Sequence, residues 1–266
     1  MYKVTVVTPS YNSARFIEIC IKSINAQRSD TFKVRHIIMD GGSTDGTADI
    51  VNQYLNEDTI FISKPDKGPA DAINKGFALS NSDYVCWLNA DDVYESGALE
   101  RAAALLDASP KASFCFGNCP IINENGNEIR KFITRFKEFF FPISSKVVIQ
   151  TLNYISQPSV LFRTSAVREV GDLRLDLKAA WDYDFLLRLW NLGPAVRVKG
   201  VQAYFRWTPN SISGQNFALQ FKEEFDAAVR QAGYWQPWIW IHWVCIKFIV
   251  VLYSLMTFKH RKSNKK

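Results

Sequence analysis

No Gly-x-Gly-x-x-Gly turn follows the first apolar run of this 266-residue chain. The segment there reads Thr8-Pro9-Ser10-Tyr11-Asn12, which excludes a nucleotide-binding dehydrogenase. Cysteine is sparse and odd in number: Cys20, Cys86, Cys115, Cys119 and Cys245. They sit mostly in apolar runs and read as reduced, buried thiols of a cytosolic protein, not as a disulfide framework. Cys115 and Cys119 lack the spacing of a zinc knuckle and have no second pair. No signal peptide is expected, because Tyr2–Thr8 passes straight into a strand. There is no internal repeat and no low-complexity linker. A hydrophobic content of 47% excludes a disordered chain and supports one large domain, or a domain with an appendage.

What is present begins with charge and apolar length at the C-terminal end. The net charge of +6 concentrates in Lys259-His260-Arg261-Lys262-Ser263-Asn264-Lys265-Lys266. A basic tail alone would bind nucleic acid nonspecifically and with steep salt dependence, so no nucleic-acid partner is expected. Behind an apolar segment it reads instead as a membrane-surface anchor. That segment, Trp238–Phe258, is long enough to span a bilayer core, and Trp235, Trp238, Trp240 and Trp243 crowd one end as interfacial aromatics do. His242 and Lys247 interrupt it. A lone spanning helix would bury Lys247 at a cost on the order of a few kcal/mol. This favours a helix in the interface, or a shallow re-entrant hairpin, over a clean span. The alternative is a helix packed on the protein's own core.

The first part of the chain alternates strand and helix. Strands are expected at Val4–Thr8, Val34–Met39, Ile60–Ser63 and Tyr84–Leu88, with helices over Ala14–Gln27, near Thr47–Leu55 and from Gly68-Pro69, where Pro suits the first turn. Strands separated by helices argue for a parallel, doubly wound sheet. The second part is mixed. Asn125-Gly126 between Ala112–Phe116 and Ile129–Phe132 predicts a hairpin or short meander. Ser159–Phe162, Ala195–Val198 and Ala203–Trp207 read as strands, and Asp182–Asn191 as an amphipathic helix.

Chemistry gathers at the strand ends. The run Tyr84-Val85-Cys86-Trp87-Leu88-Asn89-Ala90-Asp91-Asp92 delivers two adjacent carboxylates to the edge where open α/β sheets bind ligands. Two such groups repel unless a cation or proton sits between them, and a hard divalent ion that also holds substrate phosphates is the natural partner. An acidic turn capping a helix over Val93–Leu106 explains the same residues equally well. Three more polar segments fall at the same edge: Thr8–Asn12, Asp40-Gly41-Gly42-Ser43-Thr44-Asp45-Gly46-Thr47, and Ser63–Gly76.

These segments, in this order, resemble family 2 glycosyltransferases of the GT-A fold. The matches are Thr8-Pro9-Ser10-Tyr11-Asn12, Asp40–Thr47, Asn89-Ala90-Asp91-Asp92 in place of an Asp-x-Asp segment, and Ala180-Trp181-Asp182-Tyr183-Asp184 in place of an acidic base motif. The resemblance covers about residues 1–210. It departs at Asn89 and Trp181, where an aspartate and a glutamate are common. It implies a GT-A Rossmann-like nucleotide-binding sheet (1–110) continuing into a mixed acceptor-binding region (111–220), with an apolar C-terminal helical segment (234–266).

The resemblance further implies an inverting transferase that uses a nucleotide-sugar donor and a divalent metal (Mn²⁺ or Mg²⁺). The apolar C-terminus, not any pocket residue, points to a glycan or lipid-linked saccharide acceptor in cell-envelope polysaccharide synthesis, with the protein on the cytoplasmic side of the cell membrane, peripheral to or anchored in the inner face. Asp91 would hold the metal, with Asp92 assisting or facing the sugar. Thr8, Pro9, Tyr11, Asn12, Asp40, Lys64, Asp66, Asp71 and Asn74 would complete the donor site. Asp40 has a turn-stabilising role before two glycines as its lesser alternative. Asp182 would take the acceptor proton, with a helix N-cap as its other role. Asp184 points elsewhere and would pair with Arg188 one turn on. Gln157 and Trp181 would line the acceptor cleft, Trp181 having the core as its alternative. Arg206-Trp207 and Ser211-Ile212-Ser213 fall where such enzymes have a phosphate-contacting loop, without its usual histidine. A non-catalytic nucleotide-sugar-binding or scaffold protein at the membrane is the competing reading.

Overall fold

The computed structural model describes residues 3–208 and 217–247. Four parallel strands carry the first part: β1 (Val4–Ser10), β2 (Val34–Asp40), β3 (Thr59–Ser63) and β4 (Tyr84–Trp87). They join β6 (Phe114–Asn118), β9 (Leu161–Arg163) and β10 (Ala195–Val201) in one seven-stranded sheet of order β10-β6-β9-β4-β1-β2-β3. Strand β9 runs antiparallel to both neighbours, so the sheet is mixed.

Alternation along the strands gives two buried faces. Ile38 packs with Ile17 and Ile21 of α1 (Ile17–Asn25) and Val51 of α2 (Thr47–Asn52). Val7, on the other face, meets α3 (Pro69–Ala78), where a Cβ on Gly76 would lie 2.4 Å from the Val7 Cγ1. Helix α4 (Ala98–Asp107) covers β6, β9 and β10.

Two expectations are corrected. The helix expected from Val93 begins at Ala98, because Val93–Tyr94 forms β5 and pairs with β11 (Ala203–Arg206), and Gly97 turns the chain at φ 65°. The expected hairpin pairs β7 (Ile121–Ile122) with β8 (Glu128–Ile129) around Gly126. The 112–116 run joins the main sheet instead, and Lys131 already starts α5 (Lys131–Phe139). Strands β5, β11, β7 and β8 form a second, four-stranded sheet against the first.

Helix α6 (Lys146–Thr151) leads through a short 3₁₀ turn at Gln157–Ser159 to β9, and α7 (Thr164–Val170) packs beside α8 (Trp181–Leu192). Helix α9 (Phe217–Ala232) also lies on α8. A helix over 237–247 follows. It docks on α6: Trp238 Nε1 donates to Gln150 Oε1 at 3.0 Å, and buried His242 meets the Gln150 carbonyl at 2.7 Å. The start of the apolar C-terminal run thus packs on the protein's own core, while 248–258 lie outside the described residues. Among the described residues no helix is long and apolar enough to cross a membrane.

Candidate active site

The register puts Ser10, Asp40 and Ser63 in one row at the carboxyl edge of the sheet. Asp40 is buried there and ties the row together. Its Oδ2 accepts from Gly42 N at 3.1 Å, Ser43 N at 2.9 Å and Ser63 Oγ at 2.7 Å, and its Oδ1 accepts from Ser43 Oγ. Burial pushes the Asp40 carboxyl up, but the Ser43, Ser63 and Gly42 hydrogen bonds outweigh it and hold the group below its ordinary value. The turn-stabilising role of Asp40 is therefore realised in the geometry.

The β1 and β2 loops interlock in front of this row. Asn12, at φ 48°, donates its N–H to Ser43 Oγ at 2.8 Å and accepts from Thr44 N at 3.0 Å. Tyr11 beside it is 67% exposed, a ring with room for a planar ligand. Thr8 and Pro9 are buried within β1, and Thr8 Oγ1 bonds His36 Nε2 at 2.8 Å, beneath the edge.

The third loop contributes unequally. Asp66 lies against the Asp40–Gly41 turn: a Cβ on Gly41 would sit 3.0 Å from its Oδ2. Lys64 anchors its backbone on the Asp40 carbonyl and leaves its side chain exposed. Asp71 folds back to accept from Lys67 N at 3.0 Å and Lys75 Nζ at 2.7 Å. Asn74 is clasped in both directions by the Leu173 backbone and braces α3 to the segment before α8.

The two adjacent aspartates have different surroundings. Asp92 is fully buried: its Oδ1 accepts from Arg206 N at 2.8 Å and its Oδ2 from Asn89 Nδ2 at 3.1 Å. Asp91 remains partly exposed. Burial raises both carboxyls, and the Asp91 charge raises Asp92 further. Arg206 is the last residue of β11, within the strand expected over Ala203–Trp207, and is buried. Its guanidinium donates to the Asp91 carbonyl at 2.8 Å and to the Asn123 and Glu124 carbonyls at 2.7 and 3.0 Å, stapling the β7–β8 hairpin to the β4 end. Ser211–Ser213 lie outside the described residues.

The donor set offers a divalent ion one partly exposed carboxylate, Asp91. Asn89, where an acid is common, directs its amide to Asp92. Among the described residues no group of three His, Cys, Asp or Glu side chains converges as a metal site. An ion held mainly by substrate phosphates and water needs only one or two carboxylates, and the desolvated Asp91–Asp92 pair is the place where a cation would relieve repulsion.

Aromatic packing brings α8 to this edge. Trp181 is buried, and its ring lies 5.5 Å from that of Trp87, the last residue of β4. Gln157 is buried as well and donates to the Trp87 carbonyl at 2.8 Å. Both side chains, expected to line an acceptor cleft, are buried against the end of β4.

Asp182 follows Trp181 in the first turn of α8, whose N-cap position is Ala180. Glu223 of α9 ties down the turn before the helix: its carboxylate accepts from Lys178 N at 3.0 and 3.1 Å, Ala179 N at 2.8 Å and Ala180 N at 3.1 Å. Among the described residues Asp182 accepts from Tyr183 N, at 2.8 Å. Burial raises its carboxyl, while Tyr183 N–H and the Lys137 charge pull the other way. Asp184 is buried in ion pairs with Arg188 at 2.9 Å and Arg230 at 3.3 Å.

Sequence reasoning missed the groups around Asp182. Lys137 reaches inward from α5 to Ser156 Oγ at 3.2 Å. Buried Glu224 accepts from Asn153 Nδ2 and Gln220 Nε2, each at 3.0 Å, and burial pushes its carboxyl up to about 7. A Glu-Glu pair mid-helix carries no local signal of such a role.

Comparison with known proteins agrees with this geometry. The model of the family described as "Glycosyl transferase family 2" matches residues 5–171. A "PGL/p-HBAD biosynthesis glycosyltransferase" of Mycobacterium bovis is 33% identical over 194 residues, spanning 70% of this chain and 69% of the relative. The "putative teichuronic acid biosynthesis glycosyltransferase TuaG" of Bacillus subtilis is 32% identical over 133 residues, 49% of this chain and 52% of that protein. Among solved structures, S. aureus TarS 1-349 in complex with UDP-GlcNAc aligns at a TM-score of 0.67 and 19% identity, covering 86% and 67% of the two chains. The mannosyltransferase PcManGT of Pyrobaculum calidifontis, in complex with GDP-Man and Mn²⁺, aligns at 0.64 and 17%, covering 98% and 81%. The chain spans 40% of the longer TarS chain. These neighbours share the mixed α/β GT-A fold, and the chain belongs to glycosyl transferase family 2.

Proposed function

We propose that this glycosyltransferase moves a sugar from a nucleotide-sugar donor to an acceptor hydroxyl with inversion at the anomeric carbon. The observation that carries the reading is the partly exposed Asp182 carboxylate in the first turn of α8, which accepts from Tyr183 N and lies near the Lys137 charge. The acceptor O–H gives its proton to Asp182 as its oxygen attacks the anomeric carbon, and the bond from that carbon to the diphosphate oxygen breaks. One base and one displacement invert the centre.

Residues 1–110 form the donor half and 111–220 the acceptor half. Tyr11 stacks on the nucleobase, while Lys64 and Asp66 line the nucleotide with Asn12. Asp40 and Asp92 shape the site from beneath through the Ser43–Ser63 row and the Arg206 staple. Asp91 would hold Mn²⁺ or Mg²⁺, which when bound stabilises negative charge on the departing diphosphate. The ligands of the structural neighbours, UDP-GlcNAc and GDP-Man with Mn²⁺, support a donor of this class. The names of the relatives, PGL/p-HBAD and teichuronic acid biosynthesis, support a cell-envelope glycan or lipid-linked acceptor. The apolar C-terminal run with its basic tail supports work at the inner membrane face, with residues 234–266 as the associating segment.

The test is release of nucleoside diphosphate from a panel of UDP-, GDP- and dTDP-sugars with Mn²⁺ or Mg²⁺, with Asp91→Ala and Asp182→Ala alongside. Metal-dependent release that Asp91→Ala abolishes is expected. Neither release nor binding across the panel, in folded protein with detergent, would support the non-catalytic scaffold instead.

A further inference from the structure

Helix α5 has its amphipathicity inside out. A surface helix ordinarily buries its apolar stripe and exposes its charges. Here Thr134 is buried, Lys137 reaches inward to Ser156, and Glu138 accepts from Asn118 at 2.6 Å. The opposite stripe carries Phe132 and Phe139, 79% and 73% exposed, with Phe136 between them at helical spacing. The apolar surface continues past the helix through exposed Ile143 to Val147 on α6. Such a contiguous patch marks an interaction face.

Charge and chain continuity select the occupant. The stripe is flanked by exposed Arg135 and by Lys131, which is exposed and pairs with Glu128 at 3.4 Å, with Lys146 at the start of α6. Helix α6 also seats the 237–247 helix through Gln150, and that helix exposes Trp240, Ile241, Trp243 and Val244. In sequence it runs on into the apolar 248–258 segment and the basic tail. Exposed aromatics beside basic side chains fit an anionic bilayer surface, where rings enter the headgroup boundary and cations meet lipid phosphate. A second protein copy would bury the same stripe but gives no reason for its basic border.

We propose that the outward face of α5, led by Phe132, Phe136 and Phe139, is a second lipid-contact surface that seats the protein on an anionic bilayer. The inward face of the same helix holds Lys137 beside Asp182, so one helix separates the bilayer from the base. A lipid-linked acceptor could then present its sugar to Asp182 while its chain stays in the membrane. This step rests on the membrane-face reading above.

The test is co-sedimentation of the full chain with phosphatidylglycerol–phosphatidylcholine vesicles and with phosphatidylcholine vesicles alone. Phe132→Ser/Phe139→Ser is expected to weaken partition by about tenfold, because buried apolar area sets interfacial affinity. Arg135→Glu should cost about fivefold or more on anionic vesicles only. Both variants should keep wild-type thermal unfolding and wild-type nucleoside diphosphate binding. If wild type binds vesicles and the double Phe variant binds equally, the α5 contact is overturned while the C-terminal anchor stands. If wild type binds neither vesicle, both readings fall. Conversion of a dimer to a monomer by the Phe variant, or a fall in its melting temperature with partition unchanged, would assign the stripe to a second copy or to the chain's own C-terminal segment and overturn the proposal.

Discussion

The backbone N–H of Arg206 donates to Oδ1 of Asp92 at 2.8 Å, across 114 positions of sequence. This bond fixes β11 beneath the loop that carries Asp91, and the Arg206 side chain then pins the Asp91 carbonyl and the β7–β8 turn. Adjacent aspartates therefore separate into a structural group and a site group. Asp92→Ala leaves a buried N–H and amide unpartnered and should destabilise the fold by about 2–4 kcal/mol. Asp91→Ala should change stability by less than about 1 kcal/mol yet lower transfer by about a hundredfold or more. Urea unfolding and donor turnover on the two variants separate the roles. Equal stability losses would refute the division.

Glu223 of α9 clamps the turn that leads into α8. The amides of Lys178, Ala179 and Ala180 converge on its carboxylate, just ahead of Trp181, the first residue of the helix. Glu223→Ala leaves those amides without their carboxylate and should cost about 1–2 kcal/mol in stability. The turn that positions Asp182 is then free to shift. Turnover number should fall about tenfold with little change in donor KM, the pattern of a misplaced base rather than a lost binding contact. Glu223→Gln, which keeps one acceptor oxygen, should recover part of the rate. A purely structural role predicts lower melting temperature with turnover per folded molecule unchanged.

The donor edge was legible because strand ends announce themselves. Val34–Met39 followed by Asp40-Gly41-Gly42, and Tyr84–Leu88 followed by Asn89–Asp92, are apolar runs that stop at turn and acid residues, a local pattern that one window reveals. The family resemblance rested on the same segments. The split between Asp91 and Asp92 was not legible, because it depends on Arg206 arriving from β11. Nor were the internal positions of Trp181 and Gln157, which follow from their meeting with Trp87 across 94 and 70 positions. Val93–Tyr94 was read as helix because the apolar spacing continued through it. Pairing with β11 overrode that local preference. The Lys137–Glu224 environment of Asp182 joins α5 and α9, and no local pattern encodes it.

Gly76 tests how tightly the donor half is packed. A Cβ there would stand 2.4 and 2.8 Å from the two Val7 methyls, closer than van der Waals contact permits. Helix propensity alone favours Ala over Gly by about 1 kcal/mol, so an open site would be stabilised by Gly76→Ala. Overpacking against β1 should reverse the sign and cost about 1–3 kcal/mol. Adding Val7→Ala should restore part of that loss by opening the space. Denaturant melts of the two variants decide it, and stabilisation by Gly76→Ala alone would show that α3 can shift freely on the sheet.

The buried Glu224 carboxyl couples stability and rate to pH in a direction its environment dictates. Burial raises it from 4.5 in an open chain to about 7, and the neighbouring Asp182 charge adds to the rise while Lys137 opposes it. Cys119, Tyr154 and Tyr183 share this region as high-titrating neutral groups, and His242 is held below its ordinary value by burial. The folded protein therefore binds more protons than the unfolded chain between these two values. The stability that Glu224 contributes is full below about pH 4.5 and is lost as pH rises through about 7, a change on the order of 3 kcal/mol. Glu224→Gln keeps the oxygen that accepts from Asn153 and Gln220 and removes the titration. The variant should gain on wild type steadily from pH 5 to pH 8 by about that amount in urea melts. Below about pH 7 Glu224 is already protonated in the fold, so an acidic limb of the rate profile below that pH, where the base becomes protonated, should stay in place in the variant. A constant stability difference across that range would mean Glu224 stays ionised in the fold, and a shift of that limb to lower pH would mean it is charged while the base titrates.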